Sequence, residues 1–208
     1  NVSGLRRAII TFVVAVGVRR WQQREGGERA KKYAMVIHND IARAAHAWQD
    51  QVIDWIFQAI VDAAENDPTQ LRPLFDAAYA DLEASVLADK GKMPPRFDAF
   101  IDALQSDDVA VEKVNSDTDV MALLDANAEL KLRTPYNIWV GGNILDRGIT
   151  IPNLISFYYG RNPKTMQADT VLQHSRMYGN RERRDLAVPR FSTSRAVYDR
   201  LYTINALE

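Results

Sequence analysis

The chain of 208 residues contains no cysteine. This absence excludes a disulfide framework, a zinc site built on thiolates and a cysteine nucleophile, and it is consistent with a reducing cytoplasm. The apolar run near the start, residues 8–18, is shorter than the roughly 20 residues that cross a bilayer, and arginine pairs flank it. Because no small-residue cleavage site follows, the run predicts a buried helix with charged ends rather than a signal peptide. We therefore expect a cytoplasmic protein with no membrane partner.

Two signals of a self-contained nucleotide hydrolase are also missing. No Gly-x-x-x-x-Gly-Lys-Ser/Thr motif occurs, so the sequence lacks the glycine-rich loop that cradles phosphates. No Asp-Glu pair ends a predicted strand in a context that binds magnesium. The chain begins at Asn1 rather than at methionine, and its opening residues predict the interior of a longer protein.

The small net charge of −1 conceals a segregation of charge along the chain. Residues 1–49 carry nine Lys/Arg and three Asp/Glu, whereas residues 50–129 carry five and eighteen. Residues 146–200 carry ten Lys/Arg and five Asp/Glu. The acidic middle is typical of a solvated helical segment, and the basic thirds are suited to face a polyanion. The two interpretations are compatible.

The apolar pattern predicts an α/β fold. Short β-favouring runs are expected to form strands at residues 33–38, 109–114, 136–140, 154–159 and 186–191. Helices are expected from an N-cap at Ser3 to just before Gln22, and at residues 119–127, 169–176 and 194–206. Three further helices without a strand between them predict an all-helical insertion at about residues 41–107. The alternation outside that window predicts a parallel sheet covered by helices on both faces.

The residues suited to chemistry lie in the last third of the chain. A predicted strand ends in the Gly-Gly-Asn run at residues 141–143, where backbone amides can approach a phosphate closely. A later predicted helix places Gln173 and Arg176 one turn apart on one face, with Arg181 beyond its end. Ligands of open α/β sheets bind at the carboxyl ends of the strands, which is where we expect both stretches.

These stretches resemble the fifth and sixth motifs of helicase superfamily 2. Residues 147–152 are similar to the fifth motif, an Arg-Gly-hydrophobic-Asp-Ile-Pro loop, and residues 173–181 are similar to the sixth, which supplies arginine fingers. Together with the residues around positions 157–176, they resemble more specifically the endonuclease-associated "Z-one" domain family. Bacterial members carry this domain beside a superfamily 2 ATPase core in restriction-like and repair-like systems. The resemblance implies a single C-terminal RecA-like domain over residues 1–208.

The resemblance also implies roles for individual residues. Arg176 and Arg181 would act on the γ-phosphate as arginine fingers, and Gln173 would orient the phosphate. The implied nucleotide contacts are Asp146, Arg147, Gly148 and Thr150, and the implied nucleic-acid contacts are Asn39, Gly141, Gly142, Asn143 and Arg161. Thr150 departs from the pattern, since most such helicases place an acidic residue there. ATP and Mg²⁺ would bind the intact parent protein, with an N-terminal RecA-like half and DNA as partners, and this chain alone would bind neither cofactor tightly.

Alternative interpretations of the same residues stay open. Arg176 or Arg181 could instead pair with Asp146 or Asp169 and brace the edge of the sheet. The chain could also be a non-catalytic interaction module whose acidic helical insertion recruits a nuclease or another subunit. The arginine-bearing helix favours the ATPase, and the acidic middle favours a protein contact.

Three patterns resemble functional sites, but we interpret each of them as structural. Residues 129–131 imitate the acid-x-Lys signature of metal-dependent nucleases, but we expect them to end a helix, where that chemistry does not work. The three histidines lack the spacing of metal ligands, so no metal site is predicted. Trp48 and Trp55 are expected to pack in the core rather than to stack on bases.

Overall fold

A computed structural model of the chain contains a five-stranded parallel sheet with helices on both faces. It describes residues 2–38, 43–95, 98–106, 108–114, 117–141, 150–160 and 182–205. The strands are β1 (Tyr33–His38), β2 (Val109–Val114), β3 (Tyr136–Gly141), β4 (Leu154–Tyr159) and β5 (Arg190–Thr193). The helices are α1 (Val2–Glu25), α2 (Arg43–Asn66), α3 (Arg72–Ala88), α4 (Asp98–Gln105), α5 (Asp117–Leu123) and α6 (Arg195–Asn205). The predicted α/β class is confirmed, and the architecture is consistent with a RecA-like fold.

The sheet has the strand order β2-β3-β1-β4-β5, with β1 at the centre. The last residue of β1, His38, lies opposite Gly141 of β3 on one side and opposite Tyr159 of β4 on the other. Since every neighbouring pair is parallel, the carboxyl ends of all five strands lie at one edge of the sheet. The chain runs from β1 to β2 on one side of the sheet and from β4 to β5 on the other side. The connections that follow the neighbouring strands β1 and β4 therefore lead in opposite directions, and open α/β sheets bind ligands at such a position.

Helix α1 is buried around most of its circumference. Its residues from Ala8 to Val18 are almost all inaccessible to solvent, because the sheet lies on one side and helices α2, α3 and α4 lie on the other. The apolar run of the sequence is therefore a buried helix, as predicted. The helix begins at Val2 and ends at Glu25, so Ser3 lies in the first turn rather than at the N-cap. None of the described helices is long and apolar enough to span a membrane.

A glycine in α1 allows the close approach of α4. A Cβ atom added at Gly17 would lie 2.3 Å from two ring carbons of Phe100, which in turn stacks on Phe75 of α3. Burial of these rings explains why the outer helices dock on α1 rather than extend into solvent.

Replacement of Gly17 by alanine is expected to destabilise the protein by about 1–3 kcal/mol, because the new methyl group overpacks this contact. In a helix without such a contact, the same change would raise the free energy of unfolding by up to about 1 kcal/mol. The sign of the change therefore shows whether the contact exists. Urea unfolding would measure the difference. The added substitution Phe100→Leu should relieve the clash, and a more stable Gly17→Ala protein would contradict the packing.

Between β1 and β2 the described chain contains helices and loops but no strand, and its helical elements are α2, a 3-10 turn (Pro68–Leu71), α3 and α4. Helix α2 packs through Ile53, Ile56, Ile60 and Ala64, which lie on one face. Trp55 is off that face and is 66% exposed, so its predicted place in the core is wrong. The side chain of Trp48 lies outside the described residues.

Helices α5 and α6 cover the opposite face of the sheet. Val120 and Leu123 of α5 and Val197 of α6 pack against a second apolar cluster that includes Trp139 and Phe157 of the sheet. Helix α5 ends at Leu123, four residues before the predicted end. The Asp125 carboxylate accepts hydrogen bonds from later backbone amides and forms a turn in which Ala128 is left-handed, and this turn stops the helix.

The last strand also begins later than predicted. Residues Arg183–Ala187 form a 3-10 turn, and β5 starts at Arg190 rather than at Leu186. Pro189 has no N–H group, so it cannot donate to a strand ladder, and pairing with β4 begins only after it.

Candidate functional site

Three strands end at the carboxyl edge of the sheet directly before or at the predicted nucleic-acid contacts. Gly141 is buried at the end of β3, between Val114 of β2 and His38 of β1. The chain continues from His38 to the predicted Asn39, from Gly141 to Gly142 and Asn143, and from Gly160 to Arg161. Three segments from distant parts of the sequence thus start at one edge.

Most of the predicted site residues lie outside the described residues. They are Asn39, Gly142, Asn143, Asp146, Arg147, Gly148, Arg161, Gln173, Arg176 and Arg181. Only Gly141 and Thr150 have described positions. The roles that the resemblance implies for the others remain predictions.

His38 is the last residue of the strand predicted at residues 33–38, and the strand order places it at the centre of the carboxyl edge. Its ring is fully buried and stacks on Tyr159, with ring centroids 5.5 Å apart and planes 5° apart, and on Phe157 at 6.0 Å. Phe191 of β5 extends the stack, 5.8 Å from Phe157. Phe157 and Tyr159 of β4 therefore belong to the apolar cluster on one face of the sheet, and their stacking joins the ends of β1, β4 and β5.

A backbone hydrogen bond joins the ends of β1 and β4. The Gly160 N–H donates to the His38 carbonyl oxygen at 3.0 Å, and a Cβ atom at Gly160 would lie 3.1 Å from that same oxygen. A side chain at this position would therefore push the two strand ends apart. Glycine here keeps the junction narrow.

Thr150 is exposed and lies four residues before the amino end of β4. Its carbonyl oxygen accepts a hydrogen bond from the Leu130 N–H at 3.0 Å, and Glu129 forms a parallel bridge with it. Residues 129–131 therefore follow a turn in an extended conformation and do not end a helix, which corrects that prediction. Among the residues that the structure describes, no group of three or more His, Asp or Glu side chains could hold a metal ion.

A cleft of about 680 Å³ opens beside the ends of β4 and β5. It lies between the first turns of α1 and the start of α6, and its lining includes Arg7, Tyr158, Gly160, Arg190, Arg195 and Tyr198. Burial raises the pKa of Tyr158, so this phenol stays protonated and can donate a hydrogen bond. The volume is in the range of sites that hold a group the size of a nucleotide.

The arginines that line this cleft differ in how far their guanidinium groups are already bonded to other side chains. Arg190 is fully engaged, since its guanidinium bonds the Asp81 carboxylate at 2.6 Å and the Ser85 hydroxyl at 2.8 Å, and so ties β5 to α3. Arg195 is exposed and pairs with Asp199 one turn along α6 at 2.8 Å. Arg7 is exposed, and within the described part of the chain its guanidinium has no hydrogen bond or ion pair. Arg7 and Arg195 are thus the exposed cations of this cleft that a ligand could bind.

The chain that follows the predicted arginine segment is fixed at the opposite edge of the sheet. Glu182 comes directly after Arg181 in sequence, and its carboxylate pairs with Lys31, two residues before β1 begins. This hydrogen bond and the Lys31 charge lower the pKa of Glu182. The chain therefore leaves β4 at the carboxyl edge and re-enters the described region at the amino edge.

A buried ion pair provides the main anchor at that amino edge. Arg19 of α1 donates from Nε and Nη2 to Oδ1 of Asp185, each at 2.7 Å, and both side chains are more than nine-tenths buried. The Tyr33 hydroxyl donates to the same oxygen at 3.2 Å. Gln22 accepts from Nη1 of Arg19 at 2.6 Å, so the guanidinium is held on two sides. Burial, followed by the Asp185 charge, raises the pKa of Tyr33 above its ordinary value and keeps the donor protonated.

The family model of the Z1 domain matches residues 4–207, nearly the whole chain. The chain belongs to the Z1 domain family. No curated protein and no solved structure matches it. The match spans both the carboxyl edge and the buried anchor of this Z1 domain, so both features belong to the family region of the chain. The match also confirms the resemblance to the "Z-one" family that the sequence motifs indicated.

Proposed function

We propose that this Z1 domain is the C-terminal, RecA-like half of a nucleic-acid-dependent ATPase in a bacterial restriction-like or repair-like system. The observation that carries the proposal is the alignment of the ends of β1, β3 and β4 at one edge, directly before the predicted nucleic-acid contacts. Parallel strands with helices on both faces are the architecture in which strand-end loops bind such ligands. Residues 1–208 would form one domain of this cytoplasmic protein.

In this proposal Arg176 and Arg181 stabilise the charge that develops on the γ-phosphate, and Gln173 orients it. An arginine supplied across an interface is worth ~10³–10⁵ in the rate of phosphoryl transfer. Such an effect requires a cation that is held in place before the reaction. The Arg19–Asp185 pair lies at the amino edge of the sheet, where it fixes the chain four residues after Arg181 to α1, so it anchors only the end of the arginine segment.

ATP and Mg²⁺ belong to the intact protein in this proposal. The described residues of this chain include no acidic cluster for a metal ion, and the sequence has no phosphate cradle. We therefore assign the Mg²⁺ ligands and the cradle to the N-terminal half. Asp146, Arg147, Gly148 and Thr150 would contact the nucleotide from this side, with Thr150 presenting a hydroxyl where relatives of the helicase type carry an acid.

The purified 208-residue chain is expected to hydrolyse no ATP and to bind it weakly, since it offers half a cleft without the cradle. Phosphate release should stay at the background of a blank purification with or without nucleic acid, whereas the intact parent protein should turn over. Turnover that co-elutes with the folded chain and disappears in its Arg176→Ala variant would contradict this division of the active site.

A second candidate function is an interaction module that recruits a nuclease or another subunit. The observation that favours it is the exposure of Trp55 on α2, a helix with four acidic residues and one arginine. Large exposed aromatic side chains are enriched in protein interfaces. A parent protein with full ATPase activity after Arg176→Ala would favour this function over the first.

A further inference from the structure

Helix α6 carries a row of exposed flat side chains along one line of its surface. Arg195, Tyr198 and Tyr202 occupy positions i, i+3 and i+7, which lie above one another on a helix. Tyr198 is 51% exposed and Tyr202 is 68% exposed, although α6 buries Val197 beside them. We call these three residues the α6 stripe.

The members of the α6 stripe stack on one another. The ring centroids of Tyr198 and Tyr202 are 6.4 Å apart with planes 23° apart, and the Arg195 guanidinium carbon lies 5.6 Å from the centre of the Tyr198 ring. The stripe extends for about 10 Å, from a rise of ~1.5 Å per residue. It leads into the cleft at the ends of β4 and β5, because Arg195 and Tyr198 line both.

The charge around the α6 stripe indicates which partner it suits. The stripe and the cleft present Arg7 and Arg195, which are exposed, and helix α6 carries two arginines and one aspartate. Among the described residues, the other highly exposed aromatic side chain is that of Trp55, which lies on an acidic helix. Exposed aromatic faces beside cations are the features that bind the bases and phosphates of single-stranded nucleic acid.

We propose that the α6 stripe is a stacking platform for the bases of single-stranded nucleic acid, and that Arg7 and Arg195 bind the adjacent phosphates. The proposal deepens the nucleic-acid dependence of the proposed function and rests on it. None of its residues is among the contacts that the helicase resemblance implies. It concerns binding alone, so it can be tested without nucleotide and without the N-terminal half.

The test measures the affinity of the 208-residue chain for a fluorescein-labelled oligothymidylate of about 20 nucleotides by anisotropy. The double variant Tyr198→Leu/Tyr202→Leu, which keeps apolar helix-forming side chains but no ring, is expected to bind at least about tenfold more weakly. Tyr198→Phe/Tyr202→Phe keeps both rings and should bind like the unaltered chain. Trp55→Leu, which removes an exposed aromatic ring from the acidic helix, is the matched control and should change nothing.

The arginines have a separate signature in the salt dependence. Arg7→Gln and Arg195→Gln should each lower the slope of log affinity against log salt concentration by about 0.7, the value for one phosphate contact on a single strand. The Leu variants should leave this slope unchanged, because stacking releases no counterions. Circular dichroism and the melting temperature of each variant would show that α6 is intact.

Four outcomes would overturn the proposal: no binding by the unaltered chain at low salt (about 50 mM), full affinity of the Leu variant, equal loss in the Phe variant, or unchanged salt slopes in both arginine variants. A change in oligomeric state of the Leu variant with no change in affinity would identify the stripe as a protein interface instead. Loss of ATPase activity in the parent protein's Arg176→Ala variant tests the proposed function independently, so the two proposals can fail separately.

Discussion

Replacement of Arg176 by alanine in the intact parent protein is expected to lower the rate of ATP hydrolysis by at least about a hundredfold, with nucleotide affinity nearly unchanged. An arginine finger acts on charge that develops in the transition state, so its loss appears in turnover more than in binding. Steady-state phosphate release and the Kd of a fluorescent nucleotide would be measured on the same preparation. This substitution has the largest expected effect on activity in the proposed function.

The lysine variant separates this role from a structural one. Arg176→Lys should not rescue turnover, because a single ammonium group cannot reproduce the planar fork that spans two phosphate oxygens. If Arg176 instead braces the sheet by pairing with Asp146 or Asp169, alanine should lower the melting temperature, lysine should partly restore it, and turnover per folded molecule should barely change. A stable and fully active Arg176→Ala protein would contradict the catalytic role.

The sheet of this Z1 domain can be predicted from sequence because its strands are short and rich in β-favouring residues, and β1, β3 and β4 are largely buried. Four of the five strands lie within a residue of their predicted bounds, and the helical stretch between β1 and β2 is evident from the 3.6-residue period. The errors occur where a single local interaction overrides the pattern. Asp125 ends α5 early, and Pro189 delays β5. The prediction for Trp55 is wrong because its spacing fits a helix but not the buried face of α2.

The candidate site is harder to predict from the sequence than the sheet is. Motifs identify the strand-end segments, since glycines and arginines in that order are rarely required by packing alone. They cannot identify Arg19–Asp185, because the partners are 166 positions apart and neither lies in a motif. The spacing of the histidines predicts no metal site, but it does not reveal that His38 stacks on Tyr159, because that contact is set by the register of β1 and β4. The α6 stripe can be recognised only from the exposure of its side chains, because two tyrosines four residues apart are equally compatible with a buried helix face.

The largest effect on stability is expected from breaking the Arg19–Asp185 pair. Arg19→Met should lower the free energy of unfolding by about 3–5 kcal/mol, because it leaves the Asp185 carboxylate buried without its cation. The Tyr33 hydroxyl, at 3.2 Å, is a single neutral donor and cannot replace two charge-assisted hydrogen bonds. Urea unfolding with an unchanged m-value would measure the loss.

The double variant Arg19→Met/Asp185→Leu decides whether the loss comes from an unpaired charge or from packing. With both charges replaced by apolar side chains of similar size, most of the stability should return, since a buried ion pair is often no better than well-packed apolar residues. The exposed pair of Arg184 and Glu28, 3.3 Å apart in the same region, is the control, and Arg184→Met should change stability by less than about 1 kcal/mol. If Arg19→Met and Arg184→Met cost the same, the chain after Arg181 is not held by the buried pair. If the double variant is stable but the parent protein that carries it loses turnover, the pair serves to position the arginine segment and is not required for stability alone.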